Sequence, residues 1–300
     1  MTSSFADLKR GAGANLDRLT NELEKLNKPQ AGNSGPDDRF WKITEDKVGN
    51  GYAVIRFLPA PPNEDLPFVH MWSHAFQGQG GWYIENCLST LGNPDPVMEM
   101  NSQLWNSGID ANKDLARKQK RQLAYYSNIY VVKDSAKPEN EGKVFLFKYG
   151  KKIFDMINDL MSPQFEDEKP INPFDFWAGA DFKLKIRKVE GYRNYDKSEF
   201  SDPAPLTNDD DRLEQIWQSQ YSLQDIVAPK NFKSYDELKA RLDKALGLAS
   251  VSTQERAFKA PDQAPPPTFK AAAAPQPSAV DDDDDEDIGM EFFKSLAEED

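Results

Sequence analysis

The sequence predicts an α+β, mainly β domain with short helices, preceded by a helical arm and followed by an acidic tail. Three observations carry that expectation. Short runs rich in aromatic and β-branched residues recur between Gly, Pro and Asn, while only short stretches keep a helical apolar period. A Pro/Gly/Asn/Ser stretch at 29–38 and an Ala/Pro/Gln/Ser stretch at 250–280 set off the middle of the chain. Charge is segregated: of a formal net charge of −13, −10 resides in residues 281–300, where eleven carboxylates face one lysine.

The elements follow in order. Residues 1–28 read as a helical arm, with a capping-box shape at Ser4-Phe5-Ala6-Asp7 and a Leu16, Leu19, Leu23, Leu26 stripe. Four leucines on a short helix make no core alone, so the arm must dock on the main domain or on another molecule. After the linker at 29–38, the main domain spans 39–249. Asn50-Gly51 signals a turn into a strand over Tyr52–Leu58, which Pro59 ends. Trp82–Asn86 is a second strand, and residues 92–112, with Pro94 and Pro96, read as loop. The stretch from Arg117 to Lys152 is the most informative. A cationic cluster, Arg117-Lys118-Gln119-Lys120-Arg121, leads into a strand over Ala124–Val132. An acidic turn at Pro138–Gly142 then leads into a strand over Lys143–Tyr149. Ile153, Met156, Ile157 and Leu160 give an amphipathic helix stopped at Ser162-Pro163. From Asp181, Phe182, Leu184 and Ile186 alternate with Lys183, Lys185 and Arg187, which puts apolar groups on one strand face and cations on the other. Helices are expected around Leu213–Gln220 and over Tyr235–Leu246, the latter with a capping box from Ser234 to Glu237 and Gly247 as C-cap. The 250–280 segment is a disordered tether, and the tail at 281–300 carries Ile288, Met290, Phe292, Phe293 and Leu296, a recognition segment for partner proteins.

Function is narrowed by charge and by what is missing. Between Lys113 and Lys152 eleven Lys/Arg face four Asp/Glu. Cations interleaved with aromatics on paired strands suit a groove that follows a phosphate backbone while bases stack on rings. The bland alternative is a hairpin with aromatic rings in its core and solvated lysines outside. The basic face at Lys183, Lys185 and Arg187 favours the groove, because an ordinary solvated face mixes both signs of charge. Cys87 is the lone cysteine, so no intramolecular disulfide forms, and no apolar run approaches the ~18 residues of a membrane span. A soluble, intracellular protein is expected. Cys87 with His70 or His74 lacks an orienting third group, and no glycine-rich phosphate loop is present, so an enzyme is not expected. The competing class is an acidic-tailed interaction or scaffold protein without direct DNA binding.

Several ordered blocks add a resemblance: Gly49-Asn50-Gly51 with Ala53–Pro59, Trp82-Tyr83-Ile84-Glu85 ending in Cys87, Asn128–Asp134, and Pro138–Phe145. Gly150–Ile153, Gly191–Phe200 and Phe232-Lys233-Ser234 continue it. In these blocks the chain resembles the single-stranded DNA-binding (helix-destabilising) proteins of T-even-type bacteriophages. The resemblance implies an OB-fold core, an arm for cooperative self-association along single-stranded DNA, and an acidic tail that recruits replication and recombination proteins. It implies coating of DNA in replication, recombination and repair, in the cytoplasm of an infected bacterial host. It carries base-stacking roles over to Tyr125, Tyr126, Phe147, Tyr192 and Tyr195. Lys118, Lys120, Arg121, Lys183, Lys185 and Arg187 are the candidate phosphate contacts. The chain departs from the family at its zinc site, where His74 and Cys87 keep the family spacing but Asp95 and Met98 stand in place of two cysteines. A carboxylate and a thioether make a poor thiolate site, so zinc is not expected, no other cofactor is implied, and His74 and Cys87 read as packing residues. The arm departs too: it keeps Lys9-Arg10, and the core keeps Lys120-Arg121, but neither is followed by the family's hydroxyl residues.

Overall fold

A strand thirteen residues long organises the molecule. In the computed structural model, which describes residues 37–248 apart from 166 and 190, this is β5 (Gln122–Asp134). It exceeds the stretch predicted for it because alternation persists at both ends: Leu123, Tyr125, Ser127, Ile129 and Val131 share one face. That length lets β5 change partners along its course. Its first half pairs antiparallel with β3 (Phe68–Gly78), from Gln122 opposite Ser73 to Ser127 opposite Phe68. Its second half pairs with β2 (Gly51–Phe57), with a register shift between Val54 and Ile55. Its other edge takes β6 (Val144–Tyr149) from Tyr125 to Tyr130. The order across the sheet is β1 (Phe40–Trp41), β6, β5, β2, β7 (Phe182–Val189), β8 (Tyr192–Asn194), while β4 (Gly81–Asn86) pairs with β3 and β9 (Glu199–Phe200) with β7. Five α-helices are described: α1 (Pro96–Asn106), α2 (Asp110–Lys118), α3 (Lys151–Met161), α4 (Asp210–Gln218) and α5 (Tyr235–Ala245). The protein is thus a sheet-rich α+β fold.

Of the cores among the described residues, two bear on the site. The larger gathers the inward faces of β2, β5, β6 and β7, with Ala53, Ile55, Phe57, Ile129, Val131, Phe147, Phe182, Leu184 and Ile186, under Ile153 and Ile157 of α3. The smaller joins the β3–β4 hairpin to α1 and α5 through Phe76, Tyr83, Val97, Leu238 and Leu242. Close backbone approach seals the second core. Gly80 donates its N–H to the Ala245 carbonyl at 2.7 Å, and a Cβ on Gly80 would lie 1.9 Å from the Lys244 oxygen. The capping box at Ser234 and Glu237 starts α5 as predicted, and Gly247 follows its C-cap with φ 78°.

Three local expectations are corrected. Residues 92–112 are not loop: α1 starts at Pro96 because Asp95 caps it and a proline fits the first helical position, where no N–H is needed. A strand not foreseen, β3, runs over Phe68–Gly78, where His70, Ser73 and His74 blur the apolar alternation. The turn before β2 is closed by Asp46, whose carboxylate accepts the Val48 and Asn50 N–H groups, and Gly49 rather than Gly51 takes the positive φ. The arm at 1–28, the tether at 250–280 and the tail at 281–300 lie outside the described residues.

Candidate nucleic-acid interface

Strand parity sorts the predicted aromatics. Tyr125 and Phe147 face the larger core, where Phe147 packs against Trp41 at 5.5 Å and Phe57 at 6.4 Å between ring centroids. Tyr125 lies flat on Phe154 of α3, with centroids 3.9 Å apart and planes 3° from parallel. Tyr126 points to the opposite face of β5, beside Lys148 and Val69, where burial pushes its phenol up to about 12. Phe147, Tyr126 and Tyr195 are only 6, 7 and 9% exposed, whereas Tyr192, at the start of β8, is 65% exposed. The Tyr192 ring is therefore open to solvent, whereas the other three rings are covered by the fold.

The cations fall into two groups. On β7, Phe182, Leu184 and Ile186 are buried and Lys183, Lys185 and Arg187 point outward, as the alternation predicts. The tertiary fold adds acid to that face. Glu199 of β9 reaches Lys185 Nζ at 2.9 Å and Lys183 Nζ at 3.9 Å, and Asp196 pairs with Arg187. The Lys185 hydrogen bond and the lysine charges hold the Glu199 carboxyl below the usual carboxylate range. All these side chains are substantially exposed, so the pairs are weak and can yield to a stronger anion. Tyr52 of β2, 41% exposed, sits opposite Lys185 on this face. It was missed as a candidate, although its place opposite in phase to Ala53 and Ile55 within its own strand could have found it.

The second group closes α2 and opens β5. Arg117 and Lys118 form the last turn of α2, where cations complement the helix dipole, and Arg117 pairs with Asp114. Lys120 and Arg121 follow, both partly exposed. Arg121 stacks on the Trp72 ring with its guanidinium carbon 3.9 Å from the centroid, and its Nη1 donates to Ser89 Oγ at 2.8 Å and Met98 Sδ at 3.4 Å. Trp72 and Ser89 were not foreseen either, since nothing in sequence links them to Arg121.

Beside this group lies a polar cluster, in which the buried His74 and Cys87 pack tightly and also make polar contacts. His74, Cys87 and Asp95 are all buried, and their candidate ligand atoms lie within 4.8 Å of one another. His74 Nδ1 donates to the Gln119 carbonyl at 3.1 Å, so Nε2 faces Asp95 Oδ1 at 3.5 Å with no hydrogen-bond partner. A neutral imidazole would aim a lone pair at a carboxylate there, so the cluster needs a positive charge. An imidazolium supplies it: burial alone would lower the His74 pKa, but Asp95 and Cys87 outweigh burial and raise it to about 9. Asp95 is also the cap of α1, accepting N–H groups from Val97 and Met98 on Oδ1 and from Leu88 on Oδ2. At the sequence position of the family's fourth ligand stands Met98, whose thioether Sδ lies 3.4 Å from Arg121 Nη1. His74, Cys87 and Asp95 each offer one ligand atom, and the family's fourth position offers a thioether rather than the thiolate of a closed structural zinc site.

Comparison with known proteins places the chain in a family. The family described as "gp32 DNA binding protein like" matches residues 49–246. A single-stranded DNA-binding protein of Enterobacteria phage T2 is 39% identical over 240 residues, covering 78% of each chain. One of Enterobacteria phage T4 is 40% identical over 238 residues, covering 77% of each. A single-stranded DNA-binding protein of Escherichia phage SV14 is 46% identical over 77 residues, 26% of this chain and 68% of that one.

Proposed function

The chain belongs to the gp32-like family of T4-type phage single-stranded DNA-binding proteins, and from that premise we propose that it coats single-stranded DNA cooperatively and with little sequence preference. It is a DNA-binding protein of viral type, not an enzyme. The observation that carries the mechanism is that solvent-accessible cations lie close in the chain to aromatic rings in two parts of the molecule. Lys183, Lys185, Arg187 and Tyr192 make one part; Lys118, Lys120, Arg121 and Tyr125 make the other. Phosphates replace Glu199 and Asp196 on the β7 cations, and bases stack on Tyr192, then on Tyr125, Tyr126, Phe147 and Tyr195 as local cover opens. Each fully engaged ring contributes about 1–3 kcal/mol. The strand path around β5 is read as an OB-fold-like core, a scaffold suited to such a groove.

The flanking segments regulate this core. The arm at 1–28 mediates contact between neighbours on the DNA, and the tail at 281–300 recruits replication and recombination proteins. With a charge of −10 on a tether of about 30 residues, the tail reaches the cationic surface at roughly millimolar effective concentration and competes with DNA. The protein acts in the host cytoplasm; among the described residues no helix is long and apolar enough to cross a membrane. No step of this reading runs through a metal, and native mass spectrometry should find none bound. One zinc per chain would overturn that part.

Titration of labelled oligo-dT at a series of salt concentrations tests the main reading. Binding should weaken with a log–log slope of about −0.7 per phosphate neutralised. Salt-independent or absent binding would favour the interaction-protein alternative.

A further inference from the structure

We propose that Trp72, Ser89 and Met98 form a seat that fixes Arg121 as the anchoring phosphate-binding cation, which makes Trp72 a positioning residue for DNA binding. The inference rests on the single-stranded DNA reading and deepens it. Four cations of the interface would have to give up a carboxylate before taking a phosphate: Lys183 and Lys185 share Glu199, Arg187 holds Asp196 and Arg117 holds Asp114. Arg121 is different. Among the described residues no carboxylate pairs with it, and its contacts are a ring face, a hydroxyl and a thioether, all neutral. Only Nη1 is used, so Nε and Nη2 keep their N–H groups for an anion. A half-buried guanidinium held by neutral groups keeps its full charge and has already lost its rotamer freedom, so little further ordering cost falls on binding.

The seat is itself rigidly built. Trp72 lies on β3 opposite Leu123 of β5, its N–H donates to Thr90 Oγ1 at 2.9 Å and its carbonyl accepts the Cys87 N–H at 2.8 Å. Ser89 Oγ lies 3.1 Å from Cys87 Sγ, and Met98 sits in the first turn of α1, which Asp95 caps. The polar cluster of His74, Cys87 and Asp95 therefore stands behind the seat and holds its parts in register.

The test is a double-mutant cycle in the full chain, read by anisotropy of labelled oligo-dT across a salt series, with thermal melting of every variant. Arg121→Gln should weaken binding and flatten the salt slope by about 0.7. Trp72→Leu should weaken binding by about fivefold. Trp72→Phe, which keeps a ring face, should restore most of that loss. On the Arg121→Gln background, Trp72→Leu should change binding by less than about twofold, because the group it positions is gone. An unchanged affinity for Trp72→Leu, or the same loss with and without Arg121, overturns the seat. If Trp72→Leu does not fold, the Ser89→Ala/Met98→Leu pair carries the same cycle with the same criteria. Absent binding by the unsubstituted chain overturns the underlying reading; additive losses in a chain that binds overturn the seat alone.

Discussion

Single residues show how position changes the meaning of a side chain. Asp134, at the end of β5, accepts the Trp41 indole N–H and the Asn140 amide, each at 3.0 Å, and the Lys137 N–H. Burial would raise its pKa, but these donors outweigh burial and hold it below the usual carboxylate range. The stability they give is therefore present above the unfolded carboxylate value, near 3.9, and is lost as pH falls through the folded value. Asp134→Asn should lower stability by about 1–3 kcal/mol at neutral pH. The gap between urea melts of the two proteins should begin to narrow as pH falls below about 4 and close only below the folded carboxylate value; a gap that persists there would assign the loss to geometry rather than charge. Tyr192 illustrates the opposite case, since its exposed ring packs little of the fold. Tyr192→Ala should weaken oligo-dT binding by about 1–3 kcal/mol if it is fully engaged, while the melting temperature moves little. Equal affinity at fixed salt would remove Tyr192 from the interface.

Elements explain what holds the smaller core together. The β3–β4 hairpin, α1 and α5 share a packed apolar interior, and polar ties cross it: Tyr235 Oη donates to Glu99 Oε2 at 2.6 Å, and Lys233 and Arg241 both pair with Glu85. Asp95 ties the cap of α1 to Leu88 and faces His74. Asp95→Ala should destabilise by about 2–4 kcal/mol, through loss of the cap and stranding of the buried N–H groups and imidazole. A chelator should leave the unsubstituted melting temperature unchanged; a fall would show that a bound metal contributes. Gly80→Ala drives a methyl group into the end of α5 and should cost about 2–3 kcal/mol. A thermal melt that matches the parent would mean that this contact relaxes freely.

At the scale of the whole molecule, the segregation of charge is where the proposed role of the tail can be tested. A chain truncated at Val280 loses a charge of −10, so it should bind and melt duplex DNA more readily than the full chain, most clearly at low salt. Equal melting by both would leave the tail with solubility alone. Deleting residues 1–28 should spare affinity for a short oligonucleotide and abolish clustering on long strands. Equal loss in both assays would make the arm part of the fold.

Much of this was legible in the sequence because it is local. The alternation of β7, the capping box of α5 and the runs of β2, β4, β5 and β6 depend on neighbours within a few residues, and each element lies where its pattern put it, to within a few residues. The arrival of Glu199 and Asp196 on the β7 face did not, because strand pairing and the turn that precedes it bring them there. Nor did the burial of Tyr126, Phe147 and Tyr195, which pattern cannot distinguish from exposure once both faces of a strand are aromatic. The Trp72–Arg121 stack and the convergence of His74, Cys87 and Asp95 join residues far apart in the chain. The sequence by itself determined the charge segregation, the type of most local elements and the family. Only the tertiary structure decided which rings and cations are available, because availability is set by what long-range packing lays against them.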